Sequence, residues 1–78
     1  GEGSALPDTA SDLMRKCTAA AQNGADFPTV WNTLLKPHPL VIGRPKQSLQ
    51  DGRAQLEISL ITGQRLIFDS TSGQYSVA

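Results

Sequence analysis

The chain is short of almost everything that would mark a chemistry. Its 78 residues include one cysteine, one histidine, one tryptophan, one tyrosine and two phenylalanines. A single thiol, Cys17, excludes an intrachain disulfide and leaves no set of thiolates for a zinc site. It also makes a reducing compartment, the cytoplasm, the expected location, although a leader removed during maturation would leave the same sequence. The longest uninterrupted apolar run of consequence, Leu40–Val41–Ile42, is far short of the roughly 20 residues of a membrane-spanning helix. Charge of one sign is missing too. Seven basic residues balance seven acidic ones, so no overall field draws the chain toward nucleic acid or an anionic membrane.

Size adds its own exclusion. A chain this short forms one domain whose core supplies about 3–5 kcal/mol, so most apolar side chains are needed inside. That leaves little room for a buried catalytic cleft. Residues 1–7, GEGSALP, have no periodicity and are expected to be a flexible tail, with residues 8–78 as the single domain.

What is present is patterned. From Ala54 to Asp69, Leu56, Ile58 and Leu60 alternate with polar residues, and Leu66 and Phe68 resume the alternation beyond Gly63. This is the period of two half-buried strands joined by a tight turn. Residues opposite each other in a hairpin share a face, which tests the turn. A two-residue Thr62–Gly63 loop would set Ser59 against Leu66 and is excluded. A three-residue loop, Ile61–Thr62–Gly63, sets Ile58 against Leu66 and Leu56 against Phe68. A loop one residue further on, pairing Leu60 with Leu66 and Ile58 with Phe68, also preserves the faces, so two registers stay open.

The same face extends both ways. Asp51–Gly52 is a hairpin signal that pairs Leu49 with Ala54 and Gln47 with Leu56. After Ser70–Thr71–Ser72–Gly73, a last strand at 74–78 pairs Phe68 with Tyr75 and Leu66 with Val77. Upstream, Leu40–Ile42 reads as a short strand, broken by Gly43–Arg44–Pro45 before a weaker strand over Gln47–Gln50.

Two helices precede these strands. Asp8 to Gln22 places Ala10, Leu13, Met14, Cys17, Ala20 and Ala21 at helical spacing, with Asp8, Thr9 or Ser11 as the cap and Asn23–Gly24 as the stop. Asp26 to Lys36 is the better amphipath: Phe27, Val30, Trp31, Leu34 and Leu35 form a full stripe. Asp26 caps it, Pro28 suits its first turn, and Pro37 ends it. Lys36–Pro37–His38–Pro39 is then an extended connector. The fold class that follows is α+β, two N-terminal helices on one face of a three- to four-stranded antiparallel β-meander.

No constellation for catalysis, cofactor or metal emerges. His38 has no nucleophile, carboxylate or second ligand at informative spacing, and Cys17 lies on an apolar helix face, where a thiol behaves as a small hydrophobe. Glu57 and Asp69 fall on the solvent face of neighbouring strands, where exposed cross-strand charges are ordinary. The expected function is therefore a small non-enzymatic protein-interaction or regulatory module, self-association included, using a sheet face or edge. No cofactor, membrane or small-molecule substrate is expected. The candidate contact residues are Ile61 and Ile67, two apolar side chains on the face turned away from Leu56 and Ile58, with Val41 as a third. The alternative is a nucleic-acid interface on Arg44, Lys46 and Arg53, in a segment (residues 36–53) with a net charge of +3.

Overall fold

The computed structural model describes residues 9–78, so the expected tail at 1–7 and a cap at Asp8 lie outside the described residues. Helix α1 spans Ala10–Gln22. Thr9 is its cap: its hydroxyl accepts the Asp12 N–H at 3.2 Å while the Asp12 carboxylate accepts the Thr9 N–H at 3.3 Å. That reciprocal pair satisfies two of the four donors every helix start leaves open. Ala10, Leu13 and Cys17 are buried along one face.

Helix α2, Phe27–Val30, begins at Asp26, whose carboxylate accepts the Thr29 N–H at 3.0 Å. The helix expected to reach Lys36 in regular form instead widens into a π-helical turn over Trp31–Leu35, closed by the Lys36 N–H on the Trp31 carbonyl at 2.7 Å. Two local features accompany the widening. The Thr33 hydroxyl donates to the Thr29 carbonyl at 2.7 Å, competing for the acceptor of the regular ladder. Pro37 has no N–H to carry that ladder further. The stripe survives the change, with Val30 and Leu35 fully buried.

Four strands follow: β1 Val41–Gln50, β2 Arg53–Leu60, β3 Arg65–Asp69 and β4 Gln74–Val77. They form one antiparallel sheet in the order β1-β2-β3-β4. Of the two registers open for the central hairpin, the structure adopts Ile58 against Leu66 and Leu56 against Phe68. The loop is Ile61–Thr62–Gly63, closed by the Leu60 N–H on the Gln64 carbonyl at 3.0 Å. Gly63 sits at φ +89, where an L side chain would be strained. Leu49 faces Ala54, Phe68 faces Tyr75 and Leu66 faces Val77, as the alternation predicts.

One expectation is corrected. Leu40–Ile42 and Gln47–Gln50 do not form separate strands, because β1 runs through the expected break as an irregular bulge. Ile42 pairs with Ser59 and Lys46 with Glu57, so Gly43, Arg44 and Pro45 together oppose Ile58 alone. Gly43 supplies a left-handed φ of +70, and Pro45, lacking a donor, fits only where the ladder is interrupted.

The core joins both layers. Leu13 and Cys17 of α1, with Val30 and Leu35 of the second helical segment, cluster with Ile58, Leu60, Leu66 and Tyr75 of the sheet. Phe27 stacks on Phe68 at a centroid distance of 5.0 Å, and Phe68 meets Tyr75 at 4.9 Å. Each fully buried aliphatic side chain contributes about 1.5–3 kcal/mol. Ile58→Ala is therefore expected to lower the unfolding free energy by about 2–5 kcal/mol, a large share of the total. Ile61→Ala, on an exposed turn residue, should change it by no more than about 0.5 kcal/mol. Urea denaturation of the two variants checks the contrast, and an unchanged midpoint for Ile58→Ala would contradict this core.

Candidate functional site

The least covered part of the sheet is the β1–β2 hairpin. Leu49 lies on the core side of the sheet yet is 75% exposed, and no residue of either helix lines the groove beside it. With Gln47, Ala54, Leu56 and Ser70 it borders an open groove of about 550 Å³. The turn at Asp51 (φ 53) and Gly52 (φ 77) has both central residues left-handed, the type I′ geometry that makes Gln50 and Arg53 a hydrogen-bonded pair. Alternate residues of β1, Ser48 and Lys46, then also bond inward to β2. The phase is consistent on the other side of β2, where the Ala54 carbonyl accepts the Ser70 N–H at 3.1 Å. It follows that the N–H and C=O groups of Gln47 and Leu49 point outward from the β1 edge.

The residues singled out for the outer face fall differently. Val41 pairs with Leu60 and packs against the core, so it belongs to the inner side; its neighbour Ile42, opposite Ser59, is the exposed one at 49%. The bulge shifts the register by two residues, from Ile42 opposite Ser59 to Lys46 opposite Glu57, so alternation is preserved and Val41 shares its face with Gln47 and Leu49. Ile67 is half-buried between Glu57 and Ser76. Ile61 is 62% exposed but sits in the turn, its N–H bound to the Leu40 carbonyl at 2.9 Å. The outer face around Ile67 is dominated by a polar lattice. Glu57 accepts from the Ser48 hydroxyl at 2.9 Å and from Arg65 at 3.1 Å.

The basic residues are not gathered into one patch. Arg53 bonds Asp69 at 3.2 Å, Lys46 stands opposite Glu57, and Arg44 lies in the bulge. Arg44 and the Gln50–Arg53 end of the hairpin are roughly 20 Å apart at the rise of a strand. What Arg44 does join was not legible in the sequence: with Lys36, Gly43 and Pro45 it surrounds Trp31 in a second cavity of about 520 Å³.

Among the described residues no three His, Cys, Asp or Glu side chains group as a metal site, and no helix is long and apolar enough to cross a membrane. His38 is half-buried and turns the connector, its Nδ1 accepting the Leu40 N–H at 3.1 Å. Asp69 accepts the Thr71 N–H at 2.8 Å and the Ser72 N–H at 3.3 Å, and the Thr71 bond does most to hold its carboxyl below the ordinary value. That is a turn role.

Cys17 is wholly buried, which pushes its thiol up to about 11. Tyr75 is pushed up to about 12, first by burial and then by the nearby Cys17 and Asp26. The Tyr75 hydroxyl is buried with no hydrogen-bond partner among the described residues. Both groups are neutral in the folded chain, whereas in the unfolded chain they ionise from their ordinary values of 9.0 and 10.0. The stability they contribute is complete below pH 9.0 and is lost as pH rises toward 12. Urea midpoints are expected to hold from about pH 7 to about pH 9 and then fall, and Cys17→Ala should remove the earlier part of the fall. A midpoint unchanged above that range would show that neither group is held neutral by the fold.

No family model, no curated protein and no solved structure matches the chain.

Proposed function

We propose that the chain is a non-enzymatic protein-interaction module that works by strand pairing at the β1 edge, with a second copy of itself as partner. The reading takes the two N-terminal helices as one layer on one face of the four-stranded meander, leaving the β1–β2 hairpin bare. The observation that carries it is the conjunction at Leu49, a 75% exposed apolar side chain on a residue whose own backbone groups point away from the sheet.

Two copies related by a two-fold axis pair antiparallel, and opposite residues must share a face. Setting Gln47 of each copy against Leu49 of the other meets that condition and employs the outward groups of both residues. Ser48 then lies on the axis, and the two Leu49 side chains become diagonal neighbours about 7–8 Å apart, within contact range. Pro45 bounds this ladder on one side and the Asp51–Gly52 turn on the other. So short a ladder makes a small interface, of the weak and transient class.

The nucleic-acid reading on Arg44, Lys46 and Arg53 is less well supported, since Asp69 engages Arg53 and Glu57 faces Lys46. Sedimentation velocity across a concentration series distinguishes the outcomes. The expected result is reversible dimerisation that Leu49→Lys weakens by at least about tenfold, while Ile67→Lys leaves it in place. A chain that stays monomeric to about 1 mM, with Leu49→Lys indistinguishable from it, would overturn the proposal.

A further inference from the structure

The cavity at the bulge end of β1 has a composition unlike the groove at its other end. Trp31, the single tryptophan of the chain, is half-buried, packs against the core and lines the cavity. Lys36 and Arg44 flank it, and neither makes an ion pair among the described residues, whereas Arg15, Arg53 and Arg65 all do. No residue of β2 contributes to the lining, so the cavity opens at the β1 border of the sheet.

Its walls are set by two irregularities of the backbone. The π-helical turn begins at Trp31 and closes on Lys36 through the Lys36 N–H on the Trp31 carbonyl, which brings both residues to the cavity wall. Such wide turns recur at functional sites. Opposite it, the bulge carries Arg44 between Gly43 and Pro45. A Cβ placed on Gly43 would meet no atom within 4 Å, so the space beside this backbone is open.

We infer that this cavity binds a nucleotide unit, with the base against Trp31 and the phosphate between Lys36 and Arg44. An indole beside two cations that make no ion pair among the described residues fits that chemistry on both counts. Bases stack on an indole irrespective of sequence, and guanidinium and ammonium groups are the standard partners of phosphate. About 520 Å³ lies within the range of small-ligand sites. The unit can come from a free nucleotide or from a single strand, and the shared chemistry is a phosphate carried next to a stacking base. The lining shares no residue with the strand-pairing pair Gln47 and Leu49, the two adjoin at Pro45, and the inference does not rest on that reading.

The test is a titration at low salt that follows the Trp31 indole N–H and the Gly43 amide by NMR. Adenosine monophosphate, a short oligothymidylate and inorganic phosphate are the probes, each used to about 10 mM. Saturable shifts with adenosine monophosphate or with the oligothymidylate support the inference, and the tighter of the two identifies the source. Lys36→Gln and Arg44→Gln should each weaken that binding about tenfold. Trp31→Phe, read at Gly43, should weaken it less, and Leu49→Lys should leave it unchanged. No saturable shift with either nucleotide probe overturns the inference. So does an equal response to inorganic phosphate, or a response that persists at full strength in the Lys36→Gln/Arg44→Gln double variant.

Discussion

The three-residue turn between β2 and β3 is the constraint on which the rest of the molecule depends. With Gly63 left-handed and the Leu60 N–H held by the Gln64 carbonyl, Ile58 can stand only against Leu66, and Leu56 only against Phe68. A slip of one residue would present Arg65 to the core and Leu66 to water, reversing every side chain of β3. Phe68 would leave both Phe27 and Tyr75, the contacts through which the second helical segment and β4 meet the sheet. In a domain with so small a core, one misplaced strand removes most of its stability.

Features that depend on local chemistry or on alternation were legible in the sequence. Asp26 caps its helix because a carboxylate three residues before an open N–H has an immediate partner. The pairs Leu49–Ala54 and Phe68–Tyr75 follow from turn length and parity alone. Parity left two registers for the central loop, and the pairing of Ile58 with Leu66, with the Leu60 N–H on the Gln64 carbonyl, distinguishes them. The bulge and the π-helical turn escaped for a shared reason. Glycine and proline mark where regular geometry fails, without saying whether the chain then leaves the ladder or stays in it distorted.

The candidate surfaces were harder to read than the fold. Alternation assigns a residue to one side of a sheet but is silent about what lies above it. Leu49 was placed on the correct side and is nonetheless bare. Val41 was placed on the wrong side because residues 40–42 read as a strand apart from Gln47–Gln50, whereas the bulge shifts the register by two residues and keeps Val41 on the face of Gln47 and Leu49. Ile61 and Ile67 stood out by composition, yet one belongs to a turn and the other is set among polar neighbours. The proximity of Trp31 to Arg44 is a product of tertiary folding between segments with no shared pattern, and no spacing rule reaches it.

The bulge at Gly43–Pro45 has a consequence for the physical state of the protein. An uninterrupted ten-residue edge strand would be a template on which further chains could stack without limit, the usual origin of fibrous precipitates. By distorting the middle of β1, Gly43 to Pro45 cut that template down to a stub, and the opposite border of the sheet is the four-residue β4. If β1 pairs with a second copy as proposed, one short pairing border opposite a four-residue strand favours closed, countable assemblies. On that reading the limit on sheet growth comes from backbone geometry and not from net charge, which in this chain is zero.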